Sequence, residues 1–221
     1  MQTTLTHGSN PIGVDREKRI IRGCILAQEG GFKTPDRGRF SAASLGAMKR
    51  LVSEKQNGIT SYLQHPTILC DGLGKLVGKM KDPYISFTTN RHGERAACVR
   101  GDLYFARAAA ISPWGDLANY VMTLAEEHPD ALGCSLVLEV IEEREVDSKG
   151  KIKRDSGGNI LPPLWYPTRI HGADLVAVGD AVDSLLSRPT NPKRKRSRGP
   201  TVDILARHRD IRRHMRDPVG V

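Results

Sequence analysis

The 221-residue chain carries 34 Lys/Arg against 25 Asp/Glu, a formal net charge of +9. That length suits one domain with appendages, and nowhere do 18 apolar residues run together, so composition predicts neither a membrane-spanning helix nor a secretory leader. The charge is local: residues 193–221 hold ten Lys/Arg and three Asp, which leaves 1–192 close to neutral and makes overall basicity a weak argument for nucleic-acid binding.

Residues 1–18 are polar, contain Gly8-Ser9-Asn10-Pro11, and read as a flexible arm. Residues 19–27 are rich in β-branched side chains and predict a first strand, stopped by Gly30-Gly31. A helix is expected from Ser41, a good N-cap, with Leu45, Met48, Leu51 and Val52 on one face. Residues 59–65 predict a second strand whose ladder Pro66 breaks. A short apolar stretch (76–78) and strands at 84–87 and 98–105 follow, the last two flanking a loop at 90–95. Ser112-Pro113-Trp114 looks like a helix start, with proline at the first helical position, and His128-Pro129 ends that helix. Asp130-Ala131-Leu132-Gly133-Cys134-Ser135 then leads into an apolar run that reads as a buried strand. Residues 142–160 are charged and glycine-rich, an exposed hairpin or insertion. The last strand is expected at 175–178, and a short helix or turn over 181–186. From Thr190 a basic tail begins with Lys193-Arg194-Lys195-Arg196-Ser197-Arg198, followed by a possible short basic helix over 204–215. The whole predicts an α+β protein, a mainly β barrel or sheet core decorated by two or three helices, with its folded domain over 19–189 and a tail over 190–221.

Four cysteines, Cys24, Cys70, Cys98 and Cys134, stand singly with no C-x-x-C pair. This argues against a zinc knuckle or disulfide framework and fits a reducing compartment.

Ser135 is the first residue to weigh for chemistry. A serine entering a buried strand either bonds quietly to backbone or is held as a nucleophile, and a nucleophilic serine needs an adjacent base oriented by a third group. Cys134 is the rival nucleophile; neighbours on a strand point to opposite faces, so only one of the two can meet a cleft. His65, at a strand end before Pro66, is the candidate base, since histidine suits proton shuttling at neutral pH; a plain surface histidine is the bland alternative. His7, His92, His208 and His214 lie in tail-like or loop-like stretches, and His128 reads as a helix terminator. Asp174 and His171 compete to orient His65, the first by charge and the second by a neutral hydrogen bond. Asp174 precedes an apolar strand and therefore needs a partner, or it is simply a turn aspartate. Such a triad calls for no cofactor and no metal. Asp71-Gly72-Leu73-Gly74 is a turn rather than a phosphate loop, because no helix with Lys-Ser/Thr follows.

Three segments together resemble one family, the phage prohead (capsid maturation) serine proteases, relatives of the herpesvirus assemblins. They are Tyr62-Leu63-Gln64-His65-Pro66 with the glycine-rich turn to Gly78, Pro129–Ser135 with its Gly-x-Ser ending, and residues 173–186. The likeness covers roughly 19–187, and the chain order His, Ser, third member agrees. The resemblance implies a protease domain over 19–189 with His65, Ser135 and Asp174 (or His171) as catalytic residues. It implies scaffold and major capsid proteins as substrates, self-processing, possible homo-oligomers, and a location inside the immature capsid in the host cytoplasm. No membrane partner is expected, and nucleic acid only through the tail at 193–216. Two other readings fit the same residues: a non-enzymatic capsid assembly or scaffold protein, and a nucleic-acid-binding protein acting through its basic arm.

Overall fold

Asp147 and Asp155 show how closely local chemistry shapes this chain. Each caps a tight turn through one carboxylate oxygen: Asp147 accepts from the backbone N–H of Lys149 and Lys151, and Asp155 from Gly157 and Asn159. The two turns close small hairpins bridged at Val146–Ile152 and Arg154–Ile160, so the expected insertion is two exposed β-turn units. The computed structural model describes residues 12–34, 36–66, 72–90, 92–177, 179, 182 and 184–186. The basic tail, with the helix expected over 204–215, lies outside the described residues.

Among the described residues nine strands form one sheet: β1 (Gly13–Asp15), β2 (Ile20–Gln28), β3 (Gly30–Gly31), β4 (Arg39–Phe40), β5 (Ile59–Tyr62), β6 (Leu76–Thr89), β7 (Arg95–Phe105), β8 (Gly133–Glu143) and β9 (Leu164–Val176). The order is β1-β2-β7-β6-β5-β9-β4-β3, with β8 paired to β9. Most pairs are antiparallel; β5 and β4 meet β9 in parallel. The protein is therefore α+β, a curled, half-barrel sheet carrying two α-helices.

Helix α1 (Ala42–Ser53) starts where Ser41 predicts. The Ser41 and Ser44 side chains cap each other's backbone N–H in a capping box, and Leu45, Ala47, Met48 and Val52 are buried. Helix α2 (Leu117–Glu127) starts later than expected. Its N-cap is Asp116, which accepts from Asn119 N–H at 2.9 Å. Ser112 instead closes a turn, accepting from Trp114 N–H and donating to the Gly115 carbonyl. Of two capping residues four apart, Asp116 caps the helix and Ser112 the turn before it.

Three other boundaries differ from the sequence reading. Gly13–Asp15, expected in the arm, pairs with Ile20–Arg22; residues 1–11 of that arm are not described. The stretches at 76–78 and 84–87 are one strand, β6. Pro83, between them, sits in a bulge, where the ladder shifts register between Lys81 and Tyr84 and Asp82 takes φ +52°; a bulge asks for no N–H from proline. The last strand begins at Leu164, not near 175, because its first half is exposed and carries Pro167, again at a register shift.

Ile21, Ile25, Leu26, Met80, Leu103 and Leu175 fill the inside of the curl with the buried sides of α1 and α2. Burial on this scale, at roughly 25 cal/mol per Å² of apolar surface, holds the β8–β9 register that matters below.

Candidate active site

β8 opens with Gly133, Cys134 and Ser135, and period two decides which side chain enters the cleft. Cys134 is 1% exposed, and burial pushes its thiol well above the usual range, so it holds its proton and packs as a small apolar group. Ser135 faces the other way, into a cleft of about 600 Å³.

Asp174 is the direct cross-strand partner of Ser135 in the β8–β9 ladder. It lies inside β9 rather than before a strand, and is 1% exposed. Its two oxygens have separate partners. Oδ1 accepts the backbone N–H of Tyr62 at 3.0 Å, and Oδ2 lies 2.7 Å from His65 Nδ1. Burial raises the pKa of Asp174 above the ordinary aspartate value, while the Tyr62 and His65 bonds pull it partly back.

His65 leaves the end of β5 with its ring over the cleft, and its side chain is 44% exposed. Nε2 lies 2.9 Å from Ser135 Oγ. With Asp174 ionised, Nδ1–H donates to Oδ2. Nε2 is then left as an acceptor for the serine hydroxyl, the tautomer a general base needs. Ser135, His65 and Asp174 thus converge from three chain-distant segments in one hydrogen-bonded row.

His171, the competitor for the third position, is elsewhere engaged. Its Nε2 lies 2.8 Å from Glu139 Oε1, which also accepts from Arg169 Nη1 at 3.3 Å. The His171 bond, with Arg169 behind it, lowers the pKa of Glu139. His171 lines the cleft but does not hold His65. Of the remaining histidines, His128 is the C-cap of α2 and His92 lies in the β6–β7 connection; His7, His208 and His214 are not described. Asp71 is not described; Gly72, at φ +81°, lies against Pro66, and a Cβ there would sit 2.8 Å from its ring.

No protein-family model matches this chain, and no curated protein or solved structure matches it.

Several cleft residues carry no signal in the sequence. Trp165 stands at the far end, in an edge-on cluster with Phe32 and Phe40. With Leu136 and Leu138 these aromatics enclose a second, smaller cavity of about 50 Å³ that also reaches Ser135. Gly38 lets the indole in, because a Cβ there would lie 2.5 Å from its ring nitrogen. Gly172, across from Val137, keeps the floor beside Asp174 bare. Only the glycines hinted at close approach, and nothing linked them to Trp165.

Such a row can move a proton from a hydroxyl to an imidazole and stabilise the resulting cation with a buried carboxylate.

Proposed function

We propose that this chain is a serine endopeptidase. The observation that carries the reading is the pair of contacts on one imidazole, 2.7 Å to Asp174 and 2.9 Å to Ser135. His65 takes the proton as Ser135 Oγ attacks the scissile carbonyl. The imidazolium then protonates the leaving amine, and the same ring activates the water that hydrolyses the acyl-enzyme. Asp174 holds the ring in the required tautomer and offsets its transient charge.

The resemblance to phage prohead proteases supports the finer reading, an assemblin-like sheet acting on scaffold and capsid-protein extensions within an immature shell. The basic segment from Thr190 would then be a scaffold-docking or self-cleaved piece, motivated by its charge and abrupt onset. Mass spectrometry of the protein from assembled particles tests this: chains ending near residue 190 support self-processing, and intact chains throughout maturation exclude it.

The central experiment is labelling of the full chain with a fluorophosphonate, which modifies a serine only when its hydroxyl is activated. Modification confined to Ser135 and lost in His65→Ala is the expected result. A chain that is not labelled leaves a non-enzymatic assembly role as the better account.

A further inference from the structure

We propose that Gln64 is a positioning residue whose left-handed backbone turns His65 out of the sheet and over Asp174. The inference rests on the triad reading above. In β5 and its continuation, Ile59 and Ser61 are buried and Leu63 packs against the core, while Thr60 and Tyr62 alternate with them and are half-buried, Tyr62 lining the cleft. Strict alternation would therefore send residue 65 inward with 59, 61 and 63. His65 instead points into the cleft, and the residue before it is where alternation fails: Gln64 has φ +67°.

A non-glycine residue in this region carries a steric cost and persists only where its surroundings hold it. Here they hold it at both ends. Gln64 N–H donates to the Leu175 carbonyl at 2.8 Å, tying the residue before His65 to the residue after Asp174. Leu63 N–H donates to the Lys75 carbonyl at 2.8 Å, closing the base of the loop that carries His65. Lys75 Nζ also donates to Gln64 Oε1 at 3.1 Å, but at the surface, where such a bond contributes little. The backbone of Gln64, more than its amide, sets the distance between His65 and Asp174.

The test uses the full chain and the rate of fluorophosphonate labelling in a series at position 64. Gln64→Asn and Gln64→Gly, which accept the left-handed region, are expected to label within about 3-fold of the parent. Gln64→Val, which resists it, is expected to label roughly 10-fold more slowly with its cooperative unfolding transition retained. Lys75→Met is expected to stay within about 3-fold. Parent-like labelling of Gln64→Val overturns the proposal, as does a Lys75→Met loss as large as that of Gln64→Val. Should Gln64→Val fail to fold, Gln64→Ala against Gln64→Gly decides: glycine must be several-fold faster, and equal rates overturn the proposal. Ser135→Ala separates the two layers. If it abolishes labelling while the position-64 series is flat, only the role of Gln64 falls; if labelling persists, the triad reading falls.

Discussion

Ser135 and Asp174 are direct cross-strand partners, and the imidazole of His65 bridges them from above the sheet. The proposed nucleophile and orienting carboxylate therefore share one ladder, so their spacing is set by strand register and not by a loop. A one-residue slip of β8 would turn Ser135 inward and bring Cys134 to the cleft. The register is pinned by apolar residues facing the core, among them Cys134, Ala173 and Leu175.

Removing either reacting partner should abolish activity without unfolding the chain. Members of a triad act as a unit, so Ser135→Ala and His65→Ala should each lower turnover on the order of 10⁴-fold. Both side chains face the cleft, so the urea midpoint should move little. Labelling kinetics with urea unfolding measures both, and a loss below about 10-fold in either variant would argue against a serine mechanism.

Asp174 makes function and stability pull apart. Its folded-state pKa is raised by burial, so folding favours the protonated form. The sign is then fixed: stability is greatest below the ordinary aspartate value and declines as pH rises through the folded value. Asp174→Asn removes that charge while keeping the shape. Its Oδ1 can still accept from Tyr62 N–H, but its amide N–H₂ would face His65 Nδ1, forcing the proton onto Nε2 and leaving the Ser135 hydroxyl without an acceptor. We expect about 10⁴-fold slower turnover together with unchanged or increased stability at neutral pH. A variant that is both active and less stable would contradict the assignment.

His171→Ala separates the two aspirants to the third position. Because Asp174 already occupies Nδ1 of His65, turnover should stay within about 5-fold, the change reflecting only a lost cleft wall, whereas loss of a true orienting group costs far more. A drop of 10³-fold or more would reassign the role to His171. Releasing Glu139 from His171 should also raise its pKa toward the ordinary glutamate value, which titration followed by NMR would detect.

Much of this site was legible because its parts obey short-range rules. Ser41 capped α1 as its side chain requires, and Cys134 and Ser135 divided between core and cleft as a period of two demands. Residues governed by longer-range packing were silent. The left-handed turn at Gln64 has no signature, since glutamine is an ordinary strand-edge residue and the Leu175 and Lys75 carbonyls that hold the turn come from other segments. The first half of β9 was missed because its exposed residues and Pro167 imitate a loop. The contact between Trp165 and Gly38 spans chain segments that no local pattern connects.

Ser61 offers a test of the scaffold beneath the site. Its side chain is 0% exposed, and its Oγ has no hydrogen-bond partner among the described residues. A buried hydroxyl left unpaired costs on the order of 1–3 kcal/mol relative to its hydration in the unfolded chain. Ser61→Ala deletes the oxygen and leaves a void too small to hold water, so the net effect should be stabilising by about 1 kcal/mol. The neighbouring Tyr62 N–H, which binds Asp174, belongs to the backbone and is untouched, so fluorophosphonate labelling should keep its parent rate. Urea unfolding of parent and variant decides the matter. Destabilisation by more than about 1 kcal/mol would mean that the hydroxyl has a partner, most simply a water, and that this layer of the sheet is held by a polar contact instead of apolar packing alone.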